Sequence, residues 1–371
     1  DYVYAEIAVG LAKSGRDQES TETLNRIELA VAKVSALQGI ALWHMEQGGG
    51  EKASDNLDLA VAAAKEIEHG EEKIRALGEI AVSYIDAKKN DKAVETYSGA
   101  RDEAEILTSL HRDVFLSGIA IGFLKAGDID LADAALDLVA DKTQMSSGLL
   151  GFARIYWERG EKEDANEALE EAYSIARSQK DNEIRDSRAS DNLMGLIAAQ
   201  YASFGKPERA IEVAQENRDD GERVSALARI AQTSILEGND DASQQAIRGI
   251  EDEANRVFSL IGVAEAHAKL GDNEKAGGSL DEAIGMAADL PQPMMRTSVF
   301  ETAAPLYAKF GSPENAREVC GMALETIGII RSDSERAIAL AALADVYRMS
   351  GLEPGQNEKE MITAILRTTL W

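Results

Sequence analysis

Apolar residues recur along the chain at helical spacing, and ten times they do so in one phrase, seen as IAVGLAKSG at 7–15, IAVSYIDAK at 80–88 and VAEAHAKLG at 263–271. The phrase ends on Gly15, Gly48, Gly127, Gly160, Gly205, Gly238, Gly271, Gly311 and Gly351, and on Lys88 in the remaining copy. Seven residues before each of these landmarks stands an alanine: Ala8, Ala41, Ala81, Ala120, Ala153, Ala198, Ala231, Ala264, Ala304 and Ala344. Apolar or small residues at 11, 8, 7 and 4 before the landmark form one face of a helix. A second stripe at 5, 9 and 12 after it, as in Ala53, Leu57, Ala60 or Ala276, Leu280, Ala283, predicts a second helix behind a tight turn. Each repeat is therefore expected to be a helical hairpin. Pro207 and Pro313, two residues past a landmark, suit the first turn of that second helix, where a missing N–H costs nothing.

The landmarks are separated by 33, 40, 39, 33, 45, 33, 33, 40 and 40 residues. After copies with the longer spacings the second stripe continues at 16 and 19 past the landmark, as with Ala64 and Ile67, so the extra residues are expected to lengthen helices. A period in this range, filling the chain, marks a repeat array whose hairpins bury their stripes only by stacking.

These residues resemble the tetratricopeptide repeat. The pattern matches in the large residue 11 before the turn (Tyr4, Leu37, Phe300), the small residue 7 before it, the tyrosine 4 before it (Tyr84, Tyr156, Tyr201, Tyr307, Tyr347) and the alanine 5 after it (Ala93, Ala132, Ala165, Ala210, Ala316). The sequence departs from the family in using alanine for its usual glycine, leucine more often than tryptophan, and no closing proline. The resemblance implies an all-α fold, a right-handed α-α superhelix of about ten hairpins, with the first helices lining a concave groove that takes a peptide or partner protein. With no Pro/Gly-rich linker, one continuous solenoid over residues 1–371 is expected, weakest at the polar stretch from Lys180 to Asp191 and capped by a helix at about 356–371.

Composition agrees with helices. Of 371 residues 59 are alanine and only 5% are aromatic, and alanine loses least on entering a helix. The net charge of −27 opposes a nucleic-acid backbone or an anionic lipid surface, since binding either needs a basic footprint. No run approaches the ~20 apolar residues of a membrane span, and the opening DYVYAEIAVG has no basic leader. A start at Asp1 fits an excised fragment. A single Cys320 and the absence of any Asn-x-Ser/Thr site favour a reducing, cytoplasmic interior.

Patterns that would carry chemistry are weak. GLAKSGRD at 10–17 has Arg16-Asp17 after its second glycine, where a phosphate loop has Lys-Ser/Thr, and lies inside the repeat. His44 and His267 replace the tyrosine of other copies, which predicts packed core imidazoles, and Cys320 replaces a core leucine, which predicts an inert buried thiol. Asp128, Asp130 and Asp133 lack the glycine and closing glutamate of a calcium loop and suit a helix N-terminus. No metal, cofactor or enzymatic activity is expected.

The informative surface is the rest of the first helix, at 13, 10, 9, 6, 3 and 2 before each landmark. Its sixty sites hold eight acids and eight bases, so the whole negative charge falls elsewhere. An uncharged wall inside an acidic shell fits a peptide groove and fits equally an idle wall with paired charges. Six glycines on this face, Gly39, Gly78, Gly118, Gly151, Gly195 and Gly262, should each cost ~0.5–1 kcal/mol, which close helix approach or room for a ligand backbone would offset. Pro305 should kink its helix near Glu301. The sixth inner face is nearly all small, with Gly195, Ala199, Ala202 and Ser203, and Arg154, Trp157, Asn192, Arg229 and Gln232 around it are the candidate partner-binding residues. The expected role is a non-catalytic scaffold binding a protein or peptide. The alternative is a ligand-sensing regulatory domain of a larger signalling or transcription-regulatory protein.

Overall fold

Ten residues among those described have positive φ, and they are the ten landmarks: the nine glycines, at φ between 64° and 98°, and Lys88 at 58°. Each ends a first helix. The N–H that follows returns to the carbonyl five residues back, as from Gly49 to His44 (2.8 Å), Lys89 to Tyr84 (2.8 Å) and Asp128 to Phe123 (3.0 Å), a bond that needs a left-handed residue between. A glycine takes that conformation without strain; Lys88 does so because the hairpin on either side holds it.

The structure, a computed structural model, describes residues 1–180 and 187–369, and the regular structure in them is twenty helices. They fall into two compact units, Asp1–Ser190 and Asp191–Trp371. In the first unit the hairpins are α1 (Tyr2–Lys13) with α2 (Asp17–Leu24), α3 (Ala30–Glu46) with α4 (Gly50–Lys65), and α5 (Gly70–Asp86) with α6 (Asn90–Glu105). They continue with α7 (Arg112–Ala126) and α8 (Ile129–Asp137), then α9 (Lys142–Arg159) and α10 (Lys162–Lys180). The second unit contains α11 (Ser187–Ser203) from Asp191 onward, α12 (Pro207–Gln215), α13 (Asp220–Leu236) and α14 (Asp240–Arg248), and α15 (Glu253–Lys269) and α16 (Asn273–Ala287). It closes with α17 (Pro293–Lys309) and α18 (Pro313–Gly328), then α19 (Asp333–Ser350) and α20 (Gln356–Thr369). Of the polar stretch expected to be weakest, residues 181–186 lie outside the described residues.

Spacing sets second-helix length. Where 33 residues separate landmarks the second helix has 8 or 9 residues (α2, α8, α12, α14), and where 39 or more separate them it has 15 to 19 (α4, α6, α10, α16, α18). Seven added residues are two turns, or ~10 Å of helix. Pro207, Pro313 and Pro293 each stand at the start of a helix. Asp128 caps α8 through a bond from the Leu131 N–H (3.0 Å), which is the role expected of that acid.

The core is the two stripes. Leu37, Ile40, Leu77, Ile80, Leu57 and Leu280 are each at most 3% exposed, and nine of the ten stripe alanines seven before a landmark are wholly buried. The tenth, Ala344, is exposed. Its partner helix α20 packs across both α18 and α19 instead of lying along α19 alone, so no small stripe closes over it. The position is therefore covered by a close second helix and not by the first helix itself.

Candidate binding face

Of the six first-helix positions outside the stripes, the structure opens four and covers two. Those at 13, 9, 6 and 2 before the landmark carry the exposed side chains, among them Leu42, Val82, Val114, Phe258, Glu79 and Asp86. Those at 10 and 3 mostly face a neighbouring helix: Ala5, Ser117, Ile261, Leu124, Ile235 and Ala202 are buried there. A carboxyl at such a place is poorly solvated. Glu301, 10 before its landmark, is half-buried with its Oε1 unpartnered, and burial pushes its pKa up to about 7. Four residues on, Pro305 lies inside α17, which runs on as one helix to Lys309.

How closely successive first helices approach depends on the second helix between them. Across the short α2, α8 and α14, α1 packs extensively on α3, α7 on α9 and α13 on α15, whereas across the long α4, α6 and α16 the first helices touch much less. At each of these three close pairings a glycine 9 before the landmark receives the side chain 6 before the previous one. A Cβ on Gly39 would stand 3.1 Å from Val9 Cγ2, on Gly151 2.5 Å from Ile121 Cδ1, and on Gly262 only 2.2 Å from Gln232 Nε2. Close approach thus accounts for these three. It does not account for Gly78 and Gly118, where a Cβ would meet nothing within 4 Å, and Gly195 lies at ordinary contact distance (3.6 Å) from Ala226. The α17–α19 pair is close despite the long α18, with Ala341 and Ala342 in place of the glycine.

The candidate residues from the sequence separate between the two units. Arg154 and Trp157 are on α9 of the first, and Asn192, Arg229 and Gln232 are on α11 and α13 of the second. Arg154, Asn192 and Arg229 are exposed. Trp157 is half-buried with the Lys162 ammonium 5.1 Å from its ring centre, a cation–π contact made to the second helix of its own hairpin. Gln232 is folded over Gly262 of the next first helix.

On the other side of each unit, clefts run between successive second helices, a feature the sequence reading missed. One of about 350 Å³ lies over α5 between α4 and α6, and another of about 480 Å³ over α15 between α14 and α16. Each is bridged by a lysine 4 after a landmark. Lys92 Nζ donates to Asp58 (2.6 Å) and Ser54 (3.0 Å), and Lys275 Nζ donates to Asp240 (2.5 Å). Burial opposes the charge on Asp58, yet the hydrogen bonds from Lys92 and Tyr84 outweigh it and hold the carboxyl below its usual range. His44 and His267 are buried in the floors of such clefts, and burial lowers the pKa of His44, as it raises that of the buried Cys320 thiol to about 11. Among the described residues no group of three or more His, Cys, Asp or Glu could hold a metal ion, and no helix is long and apolar enough to cross a membrane.

Twenty helices paired in register about ten left-handed turns decide the architecture. The fold is that of a tetratricopeptide-like helical repeat. Within it, the profile of the family described as anaphase-promoting complex subunit 5 matches residues 133–186 and 243–295. No curated protein matches the sequence. Among solved structures, Ton1535 from Thermococcus onnurineus NA1 is 18% identical, with 93% of this chain and 99% of that one covered and a TM-score of 0.35. The STAND signal-transduction ATPase PH0952 from Pyrococcus horikoshii, which has a tetratricopeptide repeat sensor, is 14% identical over 91% of this chain and 52% of that one, at a TM-score of 0.29. A kinesin light chain from Podosopora anserina with TPR-like repeats is 18% identical over 62% and 98%, at 0.28.

Proposed function

We propose that this tetratricopeptide-like chain is a non-catalytic scaffold that receives a peptide segment or partner domain on the face of its first helices. The observation that carries the reading is the exposed apolar side chains at two positions of the first helices, 6 and 13 before the landmark: Leu42, Val82 and Val114 on α3, α5 and α7 of one unit, Phe258 and Ile338 on α15 and α19 of the other, between 40% and 63% exposed. Apolar residues repeated along one face, with polar neighbours, are the usual make-up of a protein-binding surface. The charge distribution supports it, since the −27 of the whole chain lies outside a face that sums to zero. We further take the ten hairpins as one array, because the repeat register passes from Gly160 to Gly205 with the same stripes on both sides. The reading suits a cytoplasmic protein.

A photo-crosslinking residue at Leu42 or Phe258, compared with one at the outward Leu59 of α4, tests the face in native extract. Discrete protein adducts at the first two sites and none at Leu59 are expected. Adducts of equal yield at all three would overturn the reading.

A further inference from the structure

The two histidines in the cleft floors do not stand alone in the repeat. Each comes with an aspartate 2 after and a serine 5 after the preceding landmark, Asp17 and Ser20 for His44, Asp240 and Ser243 for His267. No other landmark carries any of the three at these offsets. In both places the residues line one cleft, and a lysine 4 after the next landmark reaches the aspartate: Lys52 to Asp17 (3.4 Å) and Lys275 to Asp240 (2.5 Å).

The two clefts differ in size and in what they leave unpaired. Around His44 the space is about 150 Å³, Asp55 of α4 stands in its wall, and the Ser20 hydroxyl donates to the Ala8 carbonyl (2.7 Å). Around His267 it is about 480 Å³, within the range of small-molecule sites. There Gly278 of α16 takes the place of Asp55, and a Cβ on it would meet nothing within 4 Å. A mid-helix glycine without a packing neighbour costs stability, and here it keeps the cleft open. His267 and Ser243 are 6% and 2% exposed, yet neither side chain has a hydrogen-bond partner among the described residues. Buried polar groups are ordinarily paired, so these two lack a partner that the cleft has room to supply.

The charges lining the cleft sum to zero. Asp240 and Lys275 neutralise each other. Arg248, the last residue of α14, and Glu282 on α16 remain, one on each wall, both exposed and neither in an ion pair among the described residues. Arg248 donates to the Gln244 amide oxygen (3.2 Å). Between them the floor is apolar, with Ile235, Ile247, Leu260 and Val263 each at most 6% exposed.

We propose that the cleft between α14 and α16 binds a short free peptide of two or three residues with aliphatic side chains. Its carboxylate pairs with Arg248 and its ammonium group with Glu282, its side chains lie on the apolar floor, and its amide exchanges hydrogen bonds with His267 and Ser243. A ligand of one charge would leave one rim charge unpaired, and because Arg248 and Glu282 come from opposite walls a chain must separate the two ligand charges. This site lies on the second-helix side and goes beyond the partner face proposed above.

Isothermal titration of the full chain with leucyl-leucine and leucyl-alanyl-leucine should show binding of at least one. The N-acetyl derivative and the C-terminal amide of that peptide, and free leucine, should each bind at least threefold more weakly, as fits loss of an exposed charge contact. Arg248→Gln should remove the advantage over the amide, and Glu282→Gln the advantage over the acetyl form. His267→Phe, which installs the residue that Phe123 supplies in another copy, should weaken binding threefold or more, and Gly278→Leu should abolish it by filling the cleft. Glu274→Gln, on α16 outside the cleft, should change nothing. Circular-dichroism melting checks each variant's fold, and if His267→Phe or Gly278→Leu fails to fold the two exposed rim variants decide. Binding of neither peptide, equal affinity for the blocked forms or for free leucine, or equal weakening by Glu274→Gln overturns the proposal.

Discussion

The hydroxyl of Tyr84 donates to Asp58 Oδ1 at 2.6 Å, from the first helix of one hairpin to the second helix of the hairpin before it. Tyr307 and Asp281 repeat the bond at 2.5 Å with the same separation of 26 residues. In both, a tyrosine 4 before its landmark meets an aspartate 10 after the preceding one, across a long second helix. Among the described residues Tyr156 has no such acceptor. A hydrogen bond to a charged acceptor contributes about 1.5–3 kcal/mol, so Tyr84→Phe and Tyr307→Phe should each lower stability by up to that amount in denaturant titration, and Tyr156→Phe should change it little. Equal effects at all three sites would mean that the bond adds nothing to packing.

Lys88 holds the left-handed turn that glycine holds in the other nine copies. A non-glycine residue there is strained by ~1–2 kcal/mol, part of which glycine gives back as greater unfolded-state freedom. Lys88→Gly should therefore stabilise the chain by about 1 kcal/mol, and a lower melting midpoint for the variant would contradict this account.

Gly118 and Gly122 sit one turn apart on α7 and should respond with opposite sign. At Gly118 an added Cβ meets nothing, so Gly118→Ala should stabilise by ~0.5–1 kcal/mol. At Gly122 it would stand 2.3 to 2.7 Å from the ring of Tyr97, which is buried. A rigid ring cannot give way cheaply, so Gly122→Ala should cost ~1–3 kcal/mol.

Ala153 and Ala344 occupy the same repeat position, one wholly buried and one exposed. Ala153→Leu should overpack at ~1–3 kcal/mol while Ala344→Leu stays within ~0.5 kcal/mol. Equal tolerance would show that the alanine is not set by the closeness of the second helix.

Glu301 supplies a pH dependence with a defined sign. Its carboxyl titrates near its ordinary value of 4.5 when unfolded and at about 7 in the fold, because burial disfavours the anion. Below the lower value both states are protonated and nothing is lost. As pH rises from there through about 7 the unfolded chain gives up its proton first, so this residue progressively destabilises the native state. Glu301→Gln should raise stability at pH 8 and leave it nearly unchanged at pH 4, and a benefit of equal size at both would remove the carboxyl as its source.

Much of this protein follows from residues close together in sequence. The turn at every landmark needs a left-handed residue, the stripes at 3 and 4 residues report helix faces, and the landmark spacing sets the length of each second helix, all within one hairpin. The buried His44, His267 and Cys320 were legible for the same reason, since each stands where other copies hold a core side chain. Between hairpins the sequence was ambiguous. Gly39, Gly151 and Gly118 share one repeat position, yet two are filled by a neighbour and the third is open, because the approach of two first helices depends on the second helix wedged behind them. Glu301 and Trp157 likewise read as groove residues, and lie half-covered because adjacent helices close over their positions. Helix periodicity is local and written into each repeat, whereas the distance between repeats is a balance of packing that only the assembled stack resolves.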